Sequence, residues 1–214
     1  IMLEFVYVKN RVKYEELYQP IQTEKTSQIS VDSQFCDFGN HLQENLMLGI
    51  TTLEIQGSSE IEITKLLNQT IKHLVLHEVG HTLGLNHNMK ASQTVSLENL
   101  HNLEWTEKHG LVGSVMDYTP INISAKGKPQ GKYFADKPGS YDLWAIQFGY
   151  QPDLSEEERT ALLRNSLEPL LTFGNDADDM RYPGWGIDPR VNIGDLSNDT
   201  IGWSEQRIDI IDGL

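Results

Sequence analysis

The apolar residues of this chain fall into runs of different period, and the longest regular run carries its chemistry. Ile1 to Val8 (IMLEFVYV) is β-rich and almost continuously apolar, the pattern of a strand. Residues 9–33 mix polar and charged positions with little period, include Pro20, and read as loop with at most one helical turn. From about Asp37 to Glu54, Leu42, Leu46, Leu48, Ile50 and Leu53 recur at moderately helical spacing, flanked by Gly39-Asn40 and Gly57, which predicts a backing helix. Ser59 with Glu62 three residues on forms a capping box, and it opens a run free of Gly and Pro as far as Gly80. That run predicts a helix over about 60–84. Leu67, Ile71, Leu74, Val75, Val79 and Leu83 give it a broad apolar face expected to pack on the core, leaving an edge with His77 and His81 toward a cleft.

After His87 the composition shifts to Asn, Ser, His and Gly up to about residue 113, a surface loop with a helical stretch between Leu97 and Trp105. Residues 126–131 (KGKPQG) are turn-rich. Ser140 to Tyr150 reads as a capped helix with Leu143, Ile146 and Phe148 or Tyr150 inward, and another helix runs from Asp153 to about Ser166 before Pro169 ends it. No repeat or low-complexity linker divides the chain.

The chemistry lies in His77-Glu78-Val79-Gly80-His81-Thr82-Leu83-Gly84-Leu85-Asn86-His87. Residues four apart on a helix share a face, so His77 and His81 can aim imidazole nitrogens at one ion about 2 Å from each. Glu78, one position along, can reach a metal-bound water without displacing it, which is the place of a general base. Gly84 tolerates the left-handed backbone that ends a helix, and the resulting turn delivers His87 as third ligand. Three neutral imidazoles leave one zinc position open, unlike a structural site closed by four protein ligands. His73, one turn earlier on the same edge, reads as a structural histidine, and His101 and His109 as solvated imidazoles.

Downstream lies Ser114-Val115-Met116-Asp117-Tyr118, with Met116 roughly 30 residues after His87. With the long histidine motif this resembles the metzincin clan of zinc metalloproteases, and with Tyr-Asp-Leu-Trp at 141–144 a group of large bacterial metzincin-like proteins. The resemblance covers about residues 58–150. It implies that Met116 forms an apolar floor beneath the three histidines, and that Tyr118, placed as in astacins and serralysins, approaches the metal and serves the substrate oxyanion. It implies a substrate pocket walled by Ile121, Asn122, Ile123 and Ser124. It also implies an α+β fold, with the active-site helix packed on a sheet and a mainly helical or irregular C-terminal subdomain. Only about 60 residues precede that helix, so the sheet is expected to be incomplete or hidden in sequence read as loop.

Composition narrows the class. The chain has 214 residues, 38% apolar and 22% charged, typical of a globular protein with a sizeable core. No apolar run reaches 18 residues, so no membrane span is expected, and the first residues lack the basic start and apolar middle of a signal peptide. A first residue of Ile suggests a piece of a longer protein. The net charge of −14 argues against nucleic acid, and residues 151–214 hold 14 acids against 5 bases, −9 of that total, read as a solvated face. The single Cys36 excludes an internal disulfide and is read as a small buried hydrophobe. Asp176, Asp178 and Asp179, with Asp188, could bind Ca2+, but their spacing is not that of the twelve-residue calcium loop and solvated acids are the preferred reading.

The expectation is therefore one catalytic domain with an N-terminal subdomain over 1–87 and a C-terminal one over 88–214. It is expected to be a monomeric, exported zinc endopeptidase (periplasmic, cell-surface or secreted) with a peptide or protein substrate. The alternative is a non-catalytic module of a larger surface or exported protein, in which the metal only braces the fold.

Overall fold

The long helix is built as its sequence directs. In the computed structural model, which describes residues 36, 38–178 and 188–213, Ser59 caps its start by accepting the Glu62 amide and the helix runs over Glu60–Thr82. With α1 over Phe38–Gln56 before it, this helix is α2. The two form a hairpin through a short turn in which Gly57 takes a φ of 75° and the Ser58 amide bonds the Leu53 carbonyl at 2.8 Å. The helices α3 (Leu103–His109), α4 (Ser140–Tyr150), α5 (Glu156–Asn165) and α6 (Thr200–Asp212) follow, with short 3-10 turns between them.

The expected sheet behind α2 is corrected by the structure: among the described residues there is no strand, and α2 packs on α1 and on an irregular segment instead. The strand expected at Ile1 to Val8 and the loop at 9–33 lie outside the described residues. A physical reason for the missing ladder is visible at residues 111–124 and 131–135, which are buried throughout yet irregular. Many of their backbone groups are satisfied by side chains. Asn45 Oδ1 accepts the Ile121 amide, Gln69 Oε1 accepts the Tyr133 amide at 2.7 Å, and Asn122 Nδ2 donates to the Leu100 and Lys132 carbonyls. Gln130 bonds Ser124 through its oxygen and Asn122 through its nitrogen, so these arms need no regular pairing.

The face of α2 that is buried also differs from expectation. Ile71 is 60% exposed, Val75 53% and Val79 45%, whereas Leu66, Gln69, Thr70, His73, His77 and Gly80 are buried. Both stripes obey the helical period, so counting apolar residues selects the wrong one. The polar stripe can be buried because its members find partners: Gln69 as above, Thr70 to the Leu66 carbonyl, His73 Nδ1 to the Ala135 carbonyl and His77 Nδ1 to the Val115 carbonyl. On α4 the inward residues are Tyr141, Asp142, Trp144, Ala145 and Phe148, while Leu143 and Tyr150 face solvent, which corrects the expected Leu143 side.

Two apolar cores result. One joins Phe38, Leu42 and Leu53 of α1 and Leu66 of α2 to Tyr118, Ile121, Ile123 and Phe134. The other gathers Leu85, Val95, Leu111, Met116, Tyr141, Trp144 and Leu196. Met116 and Tyr118 therefore place the turn between the cores, beneath the last turns of α2. No helix among the described residues is long and apolar enough to cross a membrane.

Candidate metal centre

The last turns of α2 end as the sequence motif requires. Gly84 sits at φ 87°, where a side chain would be strained, and the Leu85 amide reaches back to the Gly80 carbonyl at 3.0 Å. The chain then reverses toward His87. Asn88 holds the reversal: its amide donates to the Met116 carbonyl, and its side chain donates to the Thr172 carbonyl and accepts the Gly174 amide.

Each of the three histidines uses its Nδ1 elsewhere. His77 Nδ1 donates to the Val115 carbonyl at 2.8 Å, His81 Nδ1 to the Leu85 carbonyl at 3.1 Å, and His87 Nδ1 to Asp176 Oδ2 at 2.9 Å. These acceptors place a hydrogen on each Nδ1, so that Nε2 is the nitrogen each neutral imidazole would offer to a metal. The ligating atoms of His77, His81, His87 and Cys36 lie within 4.8 Å of one another, the one such group of three or more ligating side chains among the described residues. His81 Nε2 is buried with no hydrogen-bond partner, an orphan that a metal ion would satisfy. Nitrogen and sulfur donors in this number are the set zinc takes, so the residues fit the ion that the sequence implied.

Met116 is fully buried under α2, and a Cβ on Gly80 would collide with its sulfur, so the glycine inside the motif exists for close approach. Asp142 clamps the turn: it accepts the Ser114 hydroxyl, the Val115 amide at 2.9 Å and the Gly139 amide at 2.8 Å. Burial raises its carboxyl to about 6, against these three bonds. Tyr118 is 7% exposed, with its hydroxyl 3.5 Å from His87 Nε2. Glu78 is exposed on α2, immediately after buried His77.

Other candidates fall elsewhere. Ile121, Asn122, Ile123 and Ser124 are all buried, and the two isoleucines belong to the core shared with α1. His73 is fully buried, and burial depresses its pKa to about 3, so it is a neutral structural imidazole. His101 accepts the Gly131 amide and His109 packs on Trp105. Asp188 is engaged by Lys90 at 2.6 Å and by Arg190 at 2.8 Å, Asp176 by His87, and Asp178 accepts the Asn175 amide, so among the described residues these acids form no group of three ligating side chains; Asp179 lies outside the described residues.

Two site residues escaped the reading of the sequence. Cys36, expected as a small buried hydrophobe, places Sγ 3.3 Å from His77 Nε2 and 3.1 Å from the Tyr118 hydroxyl. Burial opposes its ionisation, but the hydrogen bonds with His77 and Tyr118 and the closeness of His81 and His87 outweigh this and hold the thiol down to about 3. Asp176 is the other. Burial works against the positive form of His87, yet the Asp176 and Cys36 contacts lift it to about 9. Because a carboxylate on Nδ1 orients a ligating imidazole, Asp176→Asn is expected to weaken zinc affinity by about tenfold to a hundredfold, measured by competition with a chelating dye. Unchanged affinity would remove Asp176 from the site.

A helix carrying two of three converging imidazoles, a glycine-turned third and a methionine floor define the metzincin class of metal centre. The chain belongs to the Met-zincin family DUF4953, which matches residues 60–214. No curated protein and no solved structure matches it.

Proposed function

We propose that this chain is a zinc-dependent endopeptidase that acts on peptide or protein substrates as a monomer. The observation that carries the reading is the convergence of three imidazoles next to the solvent-exposed Glu78. Zinc held by His77, His81 and His87 would supply Lewis acidity toward the scissile carbonyl and make water a competent nucleophile near pH 7. Glu78 accepts a proton from the attacking water and returns it to the leaving amine. The Tyr118 hydroxyl, close to His87, donates to the oxyanion.

One observation favours the bracing module: Cys36 beside the cluster offers a fourth protein ligand. Cleavage of a quenched peptide library separates the two. Expected is turnover by the wild-type chain, and more by Cys36→Ser, that a zinc chelator abolishes and added zinc restores. Absence of turnover in both proteins when loaded with zinc would leave the bracing module as the answer.

A further inference from the structure

We propose that the Cys36 thiolate is a fourth ligand to the metal held by His77, His81 and His87, so that the chain blocks its own catalytic position. The inference rests on the metal-centre reading above and adds the regulation of that site. Three imidazoles leave room for water; three imidazoles and a thiolate do not. Cys36 Sγ is the atom placed to make that difference, lying 3.3 Å from His77 Nε2 within the group of four ligating atoms.

Its placement is built from the segment that follows. Phe38, fully buried, stacks on His77 with ring centroids 3.9 Å apart and planes 18° from parallel. One turn on, His41 Nε2 donates to the Thr119 carbonyl, and Asn45 accepts the Ile121 amide. These contacts dock the start of α1 on both the histidine helix and the turn carrying Tyr118. The Tyr118 hydroxyl is itself engaged by Sγ at 3.1 Å, so the thiol occupies the oxyanion-stabilising group as well as the metal. On metal binding a sulfur lone pair makes the bond that water would otherwise make, and any proton held by the four ligating groups passes to solvent. Opening the site breaks that bond and admits water, with no change of oxidation state.

The test uses cobalt(II) as a spectroscopic substitute for zinc. The wild-type chain is expected to show a thiolate-to-cobalt charge-transfer band in the near ultraviolet, and Cys36→Ser and Cys36→Ala to lose it while keeping the visible bands of bound cobalt. Acetohydroxamate, which needs an open position, should bind the variants at least about tenfold tighter, since a tethered competitor acts at an effective concentration in the millimolar range. In the wild-type chain, zinc should slow alkylation of Cys36, the one cysteine in the sequence, by a maleimide. That measurement needs no variant to fold. Cobalt bound without the band, equal hydroxamate affinities and unprotected alkylation would overturn the proposal while leaving the three-histidine centre intact. Cobalt bound by none of the proteins would overturn the centre and the proposal with it.

Discussion

Glu78→Gln should retain its zinc and lose roughly 10²–10⁴-fold in kcat/KM, the contribution of a positioned general base. The substitution keeps the size of the side chain and changes only its ability to take a proton. Glu78 is exposed and no ligand atom is removed, so stability and metal content are expected to stay with the parent protein. Measuring kcat/KM and zinc on the same preparation makes the result specific. Full turnover in Glu78→Gln would show that another group accepts the proton.

The second large effect is structural. Asp142→Ala removes the acceptor shared by the Ser114 hydroxyl and the Val115 and Gly139 amides, leaving three buried donors without a partner. Each unmet donor costs about 1–3 kcal/mol, so loss of several kcal/mol is expected near the acid side of neutrality. The pH dependence has a definite sign. The carboxyl rises from 3.8 to about 6 on folding, so the folded state binds its proton more tightly than the unfolded state does. Its contribution is full below pH 4 and is lost as pH rises through 6, an amount on the order of 3 kcal/mol. The gap between wild type and Asp142→Ala should therefore widen as pH falls from 7 to 4, read by urea unfolding of metal-free protein. A gap that narrows over that range would mean that the three donors, rather than burial, set the carboxyl's ionisation.

Much of the centre was legible because its geometry is local. The four-residue step from His77 to His81 is a property of any helix, Gly84 announces its left-handed turn, and Ser59 with Glu62 announces the start of α2. Met116 and Tyr118 were legible through resemblance alone. Cys36 and Asp176 were not legible, lying 41 and 89 residues from the imidazoles they contact, as single residues in no motif. Only the tertiary path through Phe38 on His77, and Asn88 on Thr172 and Gly174, brings them in. The apolar face of α2 misled for a related reason. Gln69, Thr70 and His73 look like surface residues until Tyr133, Leu66 and Ala135 supply their partners. The expected sheet came from the clan, and the described residues satisfy the backbone there through Asn45, Gln69, Asn122 and Gln130 instead.

The central claim is that His77, His81 and His87 hold one metal ion. Elemental analysis of the chain, purified without chelator and supplied with zinc, tests it most directly. The account predicts about one zinc per chain, the occupancy of a single three-imidazole site; a chain that holds no zinc would contradict it.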